Sequence, residues 1–305
     1  MTLTMIGPEA EAHLTWAGLT DAIEAGHRLP KAEIADILLY RGPDTMLNRA
    51  AWIDGLGQLV KTGMIFPGNA AVGKPAVNGA VNLYSDQTGE LVALIDFHLV
   101  TKWKTAGDSL LAAKRLARPD SRNILLVGAG AVSRSMVQAY RSHFQGAQFR
   151  VWNRTGAKAK AMADSLPDVT AVDDLQAAVG QADIICTATM SSTPVIMGAW
   201  LQPGQHLDLI GAYTPAMREV DDNAVRRAAI FVDSRATTIH HIGDLKDPIA
   251  RGVINEADIR ADFYDIASGA FLRDSADQIT LSKNGGGAHL DLMTATYIRQ
   301  AWQNR

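Results

Sequence analysis

Cysteine is almost missing from this sequence. Of 305 residues only Cys186 is one, set in the apolar run Asp183-Ile184-Ile185-Cys186. A single thiol closes no internal disulfide, so a reducing, cytoplasmic setting is expected, with Cys186 read as a small buried hydrophobe. Excess positive charge is missing too. Lys and Arg number 29 against 32 Asp and Glu, for a net charge of −3. That balance offers no basic stripe for nucleic acid or an anionic membrane. No apolar run approaches the ~20 residues of a membrane helix. The opening Met1-Thr2-Leu3-Thr4-Met5-Ile6 has neither the basic nor the long apolar region of a signal peptide, so none is expected. Repeats and low-complexity tracts are absent. What is present is apolar bulk: 47% of the residues are hydrophobic, enough for one large or two ordinary domains.

Periodicity divides the chain. Up to about Gly42 short helical patterns alternate with turns, and Leu14, Ala17, Leu19, Ala22 and Ile23 give His13 to Ala25 the apolar face of a helix. Between Thr45 and Asp96 the segments are short and β-like, among them Gln58 to Thr62 and Ala80 to Tyr84. A turn at Ser85 to Glu90 leads to a strand from Leu91 to Ile95. Ala106 to Ala117 reads as a helix stopped by Pro119. From Asn123 strands and helices alternate. Strands are expected at Asn123 to Val127, Gln148 to Trp152, Asp183 to Thr187, Gln205 to Ile210 and Ala229 to Val232. Helices are expected at Val132 to Phe144, Ala157 to Leu166 and Asp173 to Val179. This order implies an α/β fold, a doubly wound parallel sheet of Rossmann type covered on both faces. A last helix, Ala288 to Trp302, is expected to return to the first domain. The domains are then 1–118 with 283–305, discontinuous and α+β, and 119–282.

The chemistry begins at Val127-Gly128-Ala129-Gly130-Ala131-Val132-Ser133. Gly-x-Gly-x-x-Ser stands directly after a strand and before a helix. The first glycine permits a tight turn, and the second lets backbone approach a pyrophosphate at the helix N-terminus. Ser133 replaces the usual third glycine and is small enough for helix–strand packing. The whole loop, Gly128 to Ser133, is therefore assigned to a nicotinamide dinucleotide. An NAD site usually has an acid at the end of the second strand. Here the residues are Asn153-Arg154-Thr155. Arg154 can pair with a 2′-phosphate and its neighbours can hydrogen-bond, which favours NADP(H) and leaves NAD(H) open. Thr187 and Thr189 end another strand on the ligand side; they can touch the nicotinamide end or simply cap the strand. Adjacent His240 and His241 diverge in any regular element, so no metal is expected.

In order along the chain, Lys61, Thr88-Gly89-Glu90, Lys104-Thr105-Ala106, the glycine loop, Trp152-Asn153-Arg154-Thr155, Thr187-Ala188-Thr189, Gly211-Ala212-Tyr213-Thr214-Pro215 and Val232-Asp233-Ser234 resemble the ornithine cyclodeaminase/mu-crystallin family. The likeness runs from about Leu56 to the last helix. It implies that the discontinuous domain binds substrate and forms a homodimer. It also places Gly211 among the cofactor contacts. The implied chemistry is hydride transfer between nicotinamide and an amino-acid Cα, with an imine on the oxidised side. Two departures narrow it. Cyclodeaminases of the family carry an aspartate where Tyr213 stands, and a phenol is a poor carboxylate substitute at neutral pH. The family's carboxylate-gripping arginine is replaced by Lys104, which keeps the charge without the bidentate fork. Asp291 matches an acid near the start of the family's last helix, where capping or packing explains it as well as catalysis.

These readings converge on an NAD(P)H-dependent reductase of a small α-imino acid, such as pyrroline-2-carboxylate or iminosuccinate. Lys104 and Arg49 are the candidates to hold the substrate carboxylate. Lys61 is the candidate for carboxylate binding or proton transfer, since a lysine desolvated among cations has a lowered pKa. Lys74, Asn78 and Asn82 lie nearby in sequence. Lys283-Asn284-Gly285-Gly286-Gly287 suits close backbone approach or a hinge. The alternatives are an amino-acid dehydrogenase or ornithine cyclodeaminase, and a non-catalytic NADP-dependent binding protein of mu-crystallin type.

Overall fold

Alternating side chains and tight turns fold the first third of the chain into a six-stranded sheet. The computed structural model, which describes residues 3–305, has β1 (Thr4–Ile6), β2 (Glu33–Arg41), β3 (Asp44–Ile53), β4 (Gly57–Ile65), β5 (Val77–Tyr84) and β6 (Leu91–Asp96) in the order β1-β6-β5-β4-β3-β2. β1 runs parallel to β6 and every other pair is antiparallel. β4 alternates buried and half-buried positions from Gly57 onward, as a strand with one core face must. Helix α1 (Trp16–Gly26) begins three residues later than its apolar stripe suggests. The Thr15 hydroxyl accepts a bond from the Gly18 amide and starts the helix there.

Two expectations fail in this region. Residues 33–41 form a full strand, β2, where short helices and turns were expected. Its Glu-Ile-Ala-Asp-Ile-Leu-Leu-Tyr-Arg has no clean alternation because it is an edge strand exposed on all nine residues. Helix α2 (Phe97–Leu116) starts nine residues before Ala106, with the Asp96 carboxylate accepting the Leu99 amide at 2.7 Å. Lys104 therefore sits inside a helix rather than ahead of one.

The second sheet comprises β7 (Asn123–Val127), β8 (Gln148–Trp152), β9 (Val169–Ala171), β10 (Ile184–Thr187), β11 (His206–Leu209), β12 (Ala229–Val232), β13 (Ile259–Ala261) and β14 (Thr280–Lys283). All pairs are parallel, in the order β13-β12-β14-β11-β10-β7-β8-β9. Between them run α3 (Ala131–His143), α4 (Gly156–Ser165), α5 (Leu175–Gln181), α6 (Asp222–Arg227), α7 (Arg235–Thr238) and α8 (Gly243–Ala250); α9 (Ala288–Gln303) closes the chain. Strands β7, β8 and β12 match the expected bounds. β14 escaped notice, although it lies between β11 and β12. Its four residues Thr-Leu-Ser-Lys are too short and too polar to show a period, and only burial between two neighbours makes them a strand. Leu125, Ile185, Leu207, Leu209, Ile230 and Leu281 belong to one fully buried cluster. Each such side chain stabilises the sheet by roughly 1.5–3 kcal/mol.

The described residues up to Lys104 and Gly287–Arg305 form one unit, and Thr105–Gly286 form the other. Within the first, α9 packs on α1 and on β3 and β4, and the Tyr297 hydroxyl bonds the Thr15 backbone on both sides. Among the described residues no helix is long and apolar enough to cross a membrane, and no three His, Cys, Asp or Glu side chains gather as a metal site.

Candidate active site

Strand register builds the charged centre of the first unit. Asp36 on β2 pairs with Arg49 on β3, and Arg49 with Lys61 on β4, so the three stand side by side across one face of the sheet. Arg49 holds Asp36 through two hydrogen bonds, of 3.2 and 2.6 Å. Helix α9 brings Asp291 from 230 residues away to within 2.8 Å of Lys61 Nζ. The other Asp291 oxygen is 3.9 Å from Arg49 and accepts no hydrogen bond. Lys61, Lys104 and Asp291 are all buried. The Lys61 ammonium also lies over the Phe97 ring, 4.7 Å from its centroid.

Three cations around one carboxylate govern the titration. Burial pushes the Lys61 ammonium below its ordinary range. Asp291 opposes that shift, while the charges of Lys104 and Arg49 add to it. Burial alone would raise the Asp291 carboxyl, but the fields of Lys61, Lys104 and Arg49 outweigh it and the group titrates low. His27 and His289 stack edge to face at 5.4 Å. Burial lowers them to about 4 and about 3, so both are neutral at pH 7. A cluster with surplus positive charge, a carboxylate oxygen without a donor and a lysine poised to release a proton can bind an organic acid and supply a proton to it.

The sequence reading named Arg49, Lys61 and Lys104, and the structure places Arg49 and Lys61 in this cluster with Lys104 near enough to act on both Lys61 and Asp291. Asp291, read as capping or packing as readily as catalytic, is fully buried and pairs with Lys61. Its sequence signals were the match to an acid of the family's last helix and its place in the first turn of α9. Lys74 and Asn78 are exposed, and the Asn78 amide bonds the Pro75 carbonyl.

In the second unit the strand order reverses between β7 and β10, which defines the ligand crevice of a doubly wound sheet. Gly128 follows β7 at φ +116°, and a Cβ there would lie 2.6 Å from the Ala188 carbonyl oxygen. Gly130 caps α3 with open space before it. That room, facing the N-terminus of a thirteen-residue helix, fits a pyrophosphate. Ala129 stands between the two glycines, and Ala131 and Val132 are the first two residues of the helix. Ser133 is fully buried, as helix–strand packing demands. Arg154 and Thr155 are exposed beyond β8, and so is Lys158 in the first turn of α4. The Asn153 amide donates to the Thr155 carbonyl at 3.0 Å. Thr187 is buried, with no partner for its hydroxyl. Thr189 and Gly211 are both engaged with Glu219, a residue whose role the sequence did not reveal.

Comparison with known proteins gives the family and the fold. The ornithine cyclodeaminase/mu-crystallin family model matches residues 56–305. The chain is 50% identical to a Delta(1)-pyrroline-2-carboxylate reductase of Paracoccus denitrificans over 296 residues, covering 95% of this chain and 94% of the relative. A solved structure of the Thermococcus litoralis Delta(1)-pyrroline-2-carboxylate reductase, in complex with NADH and L-proline, is similar with a TM-score of 0.89 and 25% identity, over 98% of this chain and 97% of that one. An archaeal alanine dehydrogenase dimer with bound NAD gives a TM-score of 0.90 at 25% identity, over 100% of this chain and 97% of that one.

Proposed function

The chain belongs to the ornithine cyclodeaminase/mu-crystallin family, and from that premise we propose that it reduces a small cyclic α-imino acid, of the pyrroline-2-carboxylate class, to the amino acid with a reduced nicotinamide dinucleotide. The observation that carries this reading is the buried Lys61–Asp291 pair, at 2.8 Å, beside Arg49 and Lys104. The likeness to pyrroline-2-carboxylate reductases supports the substrate class. Reduced nicotinamide, held by residues 128–133 with Thr187, Thr189 and Gly211, supplies a hydride when bound.

The protein's own groups do the rest. Arg49, whose guanidinium is oriented by the exposed Asp36, and Lys104 hold the substrate carboxylate electrostatically. Lys61 Nζ delivers a proton to the imine nitrogen as negative charge develops there, and regains one from solvent after turnover. Asp291 favours the protonated form of Lys61 against the desolvation and the two neighbouring cations that lower its pKa. Tyr213, exposed after β11, offers no carboxylate for handling a second amine, which disfavours ornithine cyclodeamination.

The test is a cofactor oxidation assay at neutral pH with pyrroline-2-carboxylate and with imines formed from pyruvate, glyoxylate or oxaloacetate plus ammonia or methylamine. Rapid oxidation with pyrroline-2-carboxylate is expected. Cofactor binding without turnover across the panel would favour a non-catalytic binding protein, and ammonia release from ornithine would favour a cyclodeaminase.

Arg154 and Lys158 support NADP(H) over NAD(H), since two exposed cations flank the strand end that lacks an acid. Arg154→Ser is expected to raise the KM for NADPH about 10–100-fold, the loss of a charge-assisted bond, with little change for NADH. An equal effect on both cofactors would remove Arg154 from the 2′-phosphate site.

A homodimer is the assembly this reading entails. β2 leaves Ile37, Leu38, Leu39 and Tyr40 exposed along an unpaired edge, a patch that a monomer rarely leaves open. The similarity to a dimeric alanine dehydrogenase points the same way. Light scattering should give a dimer for the parent chain and a monomer for Ile37→Lys with Leu39→Lys; a monomeric parent at micromolar concentration would refute the assignment.

A further inference from the structure

Glu219 is a buried carboxylate that forms no ion pair among the described residues. Its four acceptor positions are filled by donors from two loops. Oε1 accepts from the Thr189 amide at 2.8 Å and the Thr189 hydroxyl at 2.7 Å. Oε2 accepts from the amides of Gly211 at 2.8 Å and Ala212 at 3.1 Å. Thr189 lies just beyond β10 and Gly211 just beyond β11, so one side chain bolts together the two loops at the carboxyl ends of adjacent parallel strands. The bolt is itself fixed. The Glu219 amide donates to Asp244 Oδ1 at 2.7 Å. Asp244 Oδ2 is 3.2 Å from Lys283 Nζ, and Lys283 in turn donates to the Leu209 carbonyl at 3.0 Å, at the end of β11. All three side chains are fully buried.

A second observation shows how closely the loops are drawn in. A Cβ on Gly211 would lie 2.2 Å from both the Thr189 amide nitrogen and its carbonyl oxygen, and 2.5 Å from Glu219 Oε1. Only glycine permits this approach, whatever its φ. In a sheet whose order reverses between β7 and β10, the pyrophosphate lies over the loop after β7. The adenosine half then falls toward β8, and the nicotinamide half toward β10 and β11. The Glu219 bolt therefore belongs to the nicotinamide half alone.

We propose that Glu219 is a positioning residue for the nicotinamide end of the cofactor: by clamping the loops after β10 and β11 it presets the surface on which the reactive ring rests, and it contributes nothing to the adenosine end. This rests on reading the second unit as a dinucleotide-binding domain. Glu219→Gln is nearly isosteric but places an amide N–H against backbone N–H donors, so at least one loop must let go. Glu219→Asp keeps the charge, withdraws it by one methylene and should recover part of the loss.

The experiment titrates the intact chain with NADPH and with 2′-phospho-ADP-ribose, which lacks the nicotinamide, and follows melting temperature alongside. For Glu219→Gln we expect about tenfold or weaker NADPH binding, with 2′-phospho-ADP-ribose affinity within about twofold of the parent. A general loss of structure would weaken both ligands together, and that result overturns the proposal, as does unchanged binding of both. If Glu219→Gln does not fold, Gly211→Ala forces a methyl between the same loops and must show the same selective loss. A parent chain that binds neither these ligands nor NADH and ADP-ribose would instead overturn the dinucleotide reading itself.

Discussion

Lys61→Met is expected to lower kcat for imine reduction by about 10²–10⁴-fold, the usual contribution of a positioned proton donor. Methionine keeps the length and apolar stem of lysine and so preserves packing under Phe97, but carries no proton. Cofactor binding, which belongs to the other unit, should stay as in the parent. The variant leaves Asp291 with Arg49 at 3.9 Å as its nearest salt-bridge partner. Some loss of melting temperature is therefore expected from a buried carboxylate short of one counter-ion. Steady-state kinetics and NADPH titration on the same preparation separate the effects. A kcat within threefold of the parent would mean that the imine nitrogen receives its proton from elsewhere, and Lys61 would become a carboxylate anchor only.

The second large effect is expected at Asp291 and is read from a pH profile. Burial, Lys104 and Arg49 all lower the Lys61 pKa, and Asp291 alone raises it. Reduction requires the protonated ammonium, so kcat should fall as pH rises through the Lys61 pKa in the parent. Asp291→Asn removes the opposing charge while its amide oxygen can still accept the Lys61 proton. The pKa then drops further, and the descending limb moves to lower pH. The loss should therefore grow as pH rises, approaching a factor of about ten for each unit of pKa displacement, and should be smallest at the acid end of the profile. Uniform loss across the pH range would show that Asp291 acts through geometry or through the substrate, and not through the charge state of Lys61.

Both predictions concern a pair separated by 230 residues, and this bears on what was legible beforehand. The parallel sheet could be read directly. Its central strands are continuous apolar runs and its helices have one apolar stripe, signals carried within each short segment. The glycine loop was legible for the same reason: turn, close approach and helix start occupy six consecutive residues. Arg154 could be placed because a strand end is a local feature. Lys61, Arg49 and Lys104 were named as isolated cations, and the family likeness supplied part of that.

What the sequence by itself determined is therefore local: the alternation of strands and helices, the phosphate-binding turn, and the absence of disulfide or basic-patch chemistry. Tertiary structure alone decided the rest. Antiparallel register put Asp36, Arg49 and Lys61 in one row. The return of α9 set Asp291 against Lys61, so that one buried carboxylate came to face three cations. β14 became a strand only because two neighbours flank it, and Glu219 became a clamp only because the loops after β10 and β11 both end at its carboxylate. In each case the energy resides in contacts between residues far apart in sequence. A period or a motif cannot encode it, because desolvation and hydrogen bonding act on whatever groups the folded chain brings together.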